Sequence, residues 1–190
     1  HFSLILFLVL SHSFAQIINP VQWELSVESV SPKEFDLIFT AYIDENWAIY
    51  AQEVEEGGPL PTVFTFEESS SFEPIGLTSE DATNKVTKYD PVFEMVVSKF
   101  YNQAQFRQRV SVSGSEFTLS GNIDYMTCDD TRCTYKPDNP FAFDYKPNQG
   151  LFVSEQSVIK PKNITENAND ILYGLMPKDI LISQAPCSSN

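Results

Sequence analysis

Two cysteines, Cys128 and Cys133, are the residues of this sequence best suited to chemistry. Four residues separate them, within the segment YMTCDDTRC that covers residues 125–133. The two histidines of the chain, His1 and His12, both lie near its beginning. Because the rest of the chain has no imidazole that could act as a general base, the composition favours thiol chemistry.

Two interpretations of the cysteine pair are open from the residues alone. An exported protein can use such a pair as a permanent disulfide. A bridge that closes only six residues contributes about 2 kcal/mol by loop entropy, which is low for a structural staple. The alternative is a redox-active pair that alternates between dithiol and disulfide by thiol exchange. The short charged loop between the cysteines predicts accessible sulfurs, which favours exchange.

The charges around the pair oppose one another. Asp129 and Asp130 follow Cys128 and should disfavour its thiolate, whereas Arg132 precedes Cys133 and should favour the thiolate there. We therefore expect neither thiol to be strongly acidified, and we expect access to govern reactivity. The spacing differs from the Cys-x-x-Cys motif of thioredoxin-like proteins.

Other classes of function fit the composition less well. Two cysteines without a histidine fall short of a zinc tetrad unless Cys187 and a carboxylate complete it, so we expect no metal and no cofactor. A serine nucleophile would lack a histidine base. The formal net charge of −14 repels nucleic acid and anionic lipid, so neither is an expected partner.

The chain begins with features of an exported protein. Residues 2–10 form an apolar run, and Ser13 and Ala15 stand where signal peptidase requires small residues. Residues 1–15 are therefore predicted to be a partial signal peptide, and cleavage after it would leave 175 residues. The run is too short to span a bilayer. We expect one domain over residues 16–146 and a tail or linker over residues 147–190, which includes Cys187.

The segments that would position the cysteines are predicted to be β-strands. Apolar and polar residues alternate, or β-branched and aromatic residues cluster, in segments separated by turn residues. The predicted strands are residues 23–30, 35–43, 47–50, 62–67, 93–100, 105–112, 117–126 and 141–145. This pattern predicts an all-β sandwich, followed by an irregular tail with a short helix at about residues 164–175.

Five segments, in order, resemble the N-terminal periplasmic domain of the thiol:disulfide interchange protein DsbD, in the version found in Bacteroidetes-type bacteria. The resemblance covers about residues 17–146. The segments are NPVQW at 19–23, DENWAIY at 44–50, EGGPLPT at 56–62, YDPVFEM at 89–95 and YMTCDDTRC at 125–133.

The resemblance implies an immunoglobulin-like sandwich that works as an electron relay in the periplasm. In this family, a membrane-embedded domain and a C-terminal thioredoxin-like domain reduce the N-terminal domain. That domain then reduces thioredoxin-like partners, such as disulfide isomerases and the thiol protein of cytochrome c maturation. We expect a monomer that meets the membrane only through downstream domains outside this chain. The alternative is an exported binding module with a purely structural disulfide.

The resemblance also assigns residues. The family's redox pair matches Cys128 and Cys133, with Cys133 as the attacking and Cys128 as the resolving residue. A cap loop shields the family's pair, and residues 90–94 occupy the matching place, with Phe93 as the expected capping side chain. The other expected residues of the cap and pocket are Asp90, Val92, Glu94, Trp47 and Tyr50. The better-known enterobacterial form has five residues between its cysteines rather than four.

Overall fold

Eleven strands form in the part of the chain that the computed structural model describes, residues 19–155 and 157. Within that range the structure contains no helix with the length and apolar character that crossing a membrane requires. The strands are β1 (Val21–Ser31), β2 (Glu34–Ile43), β3 (Ala48–Tyr50), β4 (Val63–Phe66), β5 (Phe72–Glu80), β6 (Lys85–Asp90), β7 (Met95–Phe100), β8 (Gln103–Val112), β9 (Phe117–Cys128), β10 (Cys133–Lys146) and β11 (Gly150–Val153).

The strands pair into two antiparallel sheets. Sheet A has the order β1-β2-β8-β5. Sheet B has the order β11-β10-β9-β3-β7-β6, and β4 pairs with β9 outside this path. Strand β2, whose side chains are buried on both faces over most of its length, lies between β1 and β8. The all-β sandwich expected from the sequence is confirmed.

Aromatic side chains fill the space between the sheets. Phe39 of sheet A meets Phe141 of sheet B with ring centroids 4.9 Å apart, and Trp23 meets Tyr125 at 5.5 Å. Both pairs have edge-to-face geometry, which is favourable for aromatic rings at these distances. This main core gives sheet B a rigid inner face, so that the opposite face of the same strands can carry other groups.

Four strands differ from the sequence prediction, β5, β6, β10 and β11. Strands β5 and β6 were not predicted, since their exposed residues outnumber their buried ones and β5 contains Pro74 and Gly76. Strand β10 begins at Cys133, well before the predicted residue 141, because its first half is also largely exposed.

The sheet also continues beyond residue 146, where we expected the domain to end. Strand β11 pairs with β10, and Leu151 is buried against the main core. The predicted signal peptide and the predicted helix of the tail lie outside the described residues, as does Cys187.

Candidate redox site

The cysteine pair lies at the end of a β-hairpin. Cys128 is the last residue of β9 and Cys133 the first residue of β10, and the two are directly opposite in the strand register. They form a disulfide, with their Cα atoms 4.1 Å apart. The two residues differ in access, because Cys128 is 5% exposed whereas Cys133 is exposed to solvent. An approaching thiolate can therefore reach Cys133 more readily than Cys128.

The turn between the cysteines is organised by one carboxylate. Asp129 accepts hydrogen bonds from the backbone amides of Thr131 and Arg132, at 2.8 and 2.9 Å, and from the Thr131 hydroxyl. The Arg132 guanidinium also donates to it at 3.0 Å. These bonds, led by that from the Thr131 amide, lower the pKa of Asp129 to about 2. Asp129 thus holds the turn that aligns the two sulfurs.

The two charges expected to oppose each other, Asp129 and Arg132, are therefore paired with each other. The Arg132 guanidinium carbon also lies 5.3 Å from the centre of the Trp47 ring, a cation–π distance. Trp47 itself is buried in the main core, and its ring supports the turn from beneath. Asp130 lies exposed in the same turn.

The buried sulfur belongs to a second, smaller cluster on the outer face of sheet B. Cys128 packs there with Tyr50 and Val97, and partly buried side chains cover this group. The Tyr50 hydroxyl donates a hydrogen bond to Cys128 Sγ at 3.3 Å. The covering side chains are Val54, Phe93, Met95 and Met126. Since successive side chains of a strand point to opposite faces, Cys128 points away from the main core, to which Tyr125 belongs.

The cap loop, residues 90–94, connects β6 to β7 beside this cluster. Asp90 and Met95 pair across the hairpin, and the Asp90 carboxylate accepts the Val92 amide at 2.8 Å. The Phe93 ring meets the Tyr50 ring edge to face, with centroids 5.8 Å apart. Val92 is 72% exposed, and Glu94 is exposed with a positive φ of 55°. Of the loop's two large apolar side chains, Phe93 therefore covers the cluster.

A charged pair joins the cap loop to β7. Lys99 of β7 is paired with Tyr50 across the sheet, and its ammonium lies 5.0 Å from the centre of the Tyr50 ring. Lys99 forms a salt bridge with Asp90, and both side chains are largely buried. Burial favours the neutral form of each group and is the largest single influence, but the hydrogen bond and charge attraction between them, together with the other groups that contact each, outweigh it. The pKa of Asp90 is consequently lowered and that of Lys99 raised.

Lys99 was not predicted from the sequence to belong to the site. The sequence nevertheless contains a feature that could have identified it. The run MVVSKF of β7 places a lysine two residues after the buried Val97, on the same face of the strand. A lysine at a mostly buried strand position is unusual and requires a partner. That partner, Asp90, comes from a neighbouring strand, and only the sheet order shows this.

The described residues contain no group of three or more histidine, cysteine or carboxylate side chains placed to hold a metal ion. The arrangement instead brings together one reachable sulfur, one sheltered sulfur and a hydroxyl donor. Chemically, this can support attack on Cys133 with Cys128 as the leaving group.

Comparisons with known proteins bear on the fold. No family model matches the sequence, and no curated protein matches it. Among solved structures, the chain is similar to the N-terminal periplasmic domain of ScsB from Proteus mirabilis. That similarity has a TM-score of 0.50 and 12% identity, and it covers 70% of this chain and 49% of that one. The chain thus spans about half the length of the ScsB chain that it matches.

Two structures from Neisseria meningitidis are also similar. The reduced N-terminal domain of DsbD has a TM-score of 0.42 and 16% identity, with 68% of this chain and 90% of that chain covered. The complex between the DsbD and PilB N-terminal domains has a TM-score of 0.38 and 15% identity, with 64% and 80% covered. The chain therefore shares the fold of the ScsB N-terminal domain, and this fold is the all-β sandwich expected from the sequence.

Proposed function

We propose that this chain is a thiol–disulfide exchange domain that acts as a protein-disulfide reductase within a larger oxidoreductase. The observation that carries the proposal is the unequal exposure of the bonded pair, with Cys133 open to solvent and Cys128 sheltered. A purely structural bridge does not require this asymmetry. An exchange reaction does, because one sulfur must be accessible to the partner while the other stays protected until the mixed disulfide has formed.

The proposed reaction has two steps. In the reduced domain the Cys133 thiolate attacks a partner disulfide, and a mixed disulfide forms while the partner releases one thiolate. The Cys128 thiolate then attacks Cys133 Sγ, so that the Cys128–Cys133 bond forms and the partner leaves as a dithiol. Two electrons pass to the partner, and a dithiol donor restores them by the reverse sequence.

The surface beside the pair supports a protein partner rather than a small thiol. Tyr135 of β10 lies two residues from Cys133, on the same face of the strand, and is 45% exposed. Val92 in the middle of the cap loop is 72% exposed. Such apolar and aromatic groups suit a protein interface. The motif resemblance makes a thioredoxin-like protein the proposed partner, as electron donor and as acceptor.

The proposed location is the periplasm, where a membrane-anchored protein would present this domain as a monomer. The sequence-predicted signal peptide and the fold shared with a periplasmic domain of ScsB support it. We propose a relay role that includes electron delivery to cytochrome c maturation, on the motif resemblance alone. We also propose that the tail beyond the sandwich links it to further domains.

A redox titration tests the proposal. In glutathione buffers, the pair should pass between disulfide and dithiol at potentials well above −300 mV, as judged by mass spectrometry after alkylation of free thiols. Structural disulfides of secreted proteins typically have potentials below about −300 mV. A pair that stays oxidised throughout these buffers would instead indicate that the protein is an exported binding module with a purely structural disulfide.

Trapping tests the roles of the two sulfurs. Cys128→Ala should accumulate a mixed disulfide with an oxidised thioredoxin-fold protein, because Cys133 can attack but nothing resolves the product. Cys133→Ala is the matched control and should accumulate little. Accumulation in Cys133→Ala alone would reverse the two roles.

A further inference from the structure

The sheltered sulfur presents an electrostatic problem for the exchange reaction. When a thiolate attacks Cys133, the electron pair of the broken bond moves to Cys128 Sγ. Cys128 is 5% exposed, so the new thiolate forms where water gives it little stabilisation. Burial in apolar surroundings disfavours a thiolate, and a poor leaving group slows exchange. The site therefore needs a donor directed at Cys128.

The Tyr50 hydroxyl is such a donor. It already points at Cys128 Sγ in the disulfide, at 3.3 Å. Tyr50 is 1% exposed, and its ring is held between Phe93 and Lys99. Burial raises the pKa of the Tyr50 phenol, although the Lys99 charge opposes this, so the hydroxyl keeps its proton and can donate at neutral pH.

The second component is the buried ammonium of Lys99. It lies against the Tyr50 ring, and the Asp90 carboxylate keeps it charged and in place. A positive charge beside a phenol makes its hydroxyl a stronger donor, and hydrogen bonds to charged acceptors are stronger than those between neutral groups. Two other titratable groups act on Tyr50 through their charge, Asp90 and Tyr101, and both raise the pKa of the phenol and so oppose Lys99.

We propose that Tyr50 is a catalytic residue, whose hydroxyl stabilises the thiolate that forms on Cys128, and that Lys99 is a positioning residue that strengthens this hydrogen bond. The proposal rests on the exchange function proposed above. The donor's thiolate bonds to Cys133 Sγ, the Cys128–Cys133 bond breaks, and its electron pair remains on Cys128, which is later protonated from solvent. In the reverse direction, the same contact stabilises the Cys128 thiolate before it attacks.

Tyr50→Phe tests the hydroxyl, because it removes one oxygen and leaves the ring that packs on Phe93. With reduced glutathione as the attacking thiol, the variant's disulfide should be reduced about tenfold more slowly, the size expected for one lost hydrogen bond to a charged group. Tyr42→Phe is the matched control, since this tyrosine is exposed on β2 of sheet A, outside the cluster around Cys128, and its rate should equal that of the unchanged protein.

A second measurement separates the hydroxyl's effect from any loss of stability. In the Cys133→Ala background, the pKa of the single Cys128 thiol can be followed by the NMR shift of its Cβ in the folded protein. Tyr50→Phe should raise that pKa, since the thiolate loses its donor. An unchanged thiol pKa together with an unchanged reduction rate would overturn the assignment of Tyr50 and leave the exchange function standing. Failure of the unchanged protein to react with glutathione would instead end the exchange function.

A double-mutant cycle tests Lys99. The paired change Lys99→Met and Asp90→Asn removes both charges and so leaves no buried ion alone. It should slow reduction severalfold when Tyr50 is present and have no further effect in Tyr50→Phe. Equal slowing in both backgrounds would show that Lys99 does not act through the hydroxyl and would overturn its assigned role.

Discussion

The two faces of sheet B show how one set of strands serves two purposes. On the inner face, Ile49 and Tyr125 belong to the apolar, aromatic-rich core that joins the sheets. On the outer face, Tyr50 and Cys128 of the same two strands lie in a small cluster beside a buried ion pair. Because side chains alternate between faces, strands β3 and β9 contribute to both. We infer that the inner face supplies stability while the outer face supplies reactivity.

The largest expected effect comes from breaking the inner face alone. Phe39 is fully buried and contacts Phe64 and Phe141. Phe39→Ala should lower the free energy of unfolding by about 3–5 kcal/mol, because it leaves a cavity in the core. Denaturant titration measures this loss. Under conditions where the variant is folded, its rate of reduction by glutathione should be unchanged, and a parallel loss of that rate would contradict the separation of the two faces.

Removing the disulfide is the next largest change. Cys128→Ala combined with Cys133→Ala should cost about 2 kcal/mol of stability, since the bond closes a loop of only six residues. Denaturant titration of the oxidised protein and of this variant gives the difference. The variant should still fold, as the core between the sheets is intact. A loss above about 5 kcal/mol would mean that the outer face carries stability as well, and would favour a structural bridge.

Phe93→Ala should alter the outer face with little change in stability. Phe93 is only partly buried, so we expect a loss of about 1 kcal/mol or less. Alkylation of the reduced pair should become faster, because the ring no longer covers the cluster that contains Tyr50 and Cys128. Val92→Ala, a change in the same loop at an exposed side chain, is the control and should leave the rate unaltered. Equal labelling of all three proteins would remove the cap loop from the mechanism.

The smallest effect concerns the turn held by Asp129. Its pKa is lowered from 3.8 to about 2, so the stabilisation by the ionised carboxylate is complete above pH 3.8. It falls as the pH drops towards about 2 and is lost below that value. An NMR titration of the side-chain carboxyl should show this low midpoint. Thr131→Ala, which removes the hydroxyl donor, should move the midpoint upward, and a midpoint near 3.8 in the unchanged protein would contradict the role of the turn.

Much of the fold could be predicted from the sequence because local alternation specifies strands. The strands rich in buried side chains, such as β2, β8 and β9, were located in this way. Strand β6 was not, since five of its six residues are not buried and its position depends on pairing with β7. The early half of β10 was missed for a similar reason, because none of its residues before Phe141 is buried. It also contains Pro137, which lies within an irregularity in its pairing with β9.

Some residues of the candidate site were predicted from the sequence and others were not. Motif resemblance named Tyr50 and Phe93, and the structure places both in the cluster that shelters Cys128. The charges next to the cysteines in the sequence predicted Asp129 and Arg132 as opposing influences on the thiols, whereas the structure joins them in one turn. Lys99 lay outside every motif considered. Its role depends on register, because the pairing of β3 with β7 sets it opposite Tyr50.

The sequence by itself determined that two thiols lie close together along the chain, because only four residues separate Cys128 from Cys133. Only the tertiary structure decided which sulfur is sheltered and which groups surround it. Tyr50 reaches Cys128 across 78 positions of sequence, and Lys99 joins them from a third strand. Such contacts depend on the order and register of strands in the sheet, which are set by the packing of the whole core rather than by any local pattern.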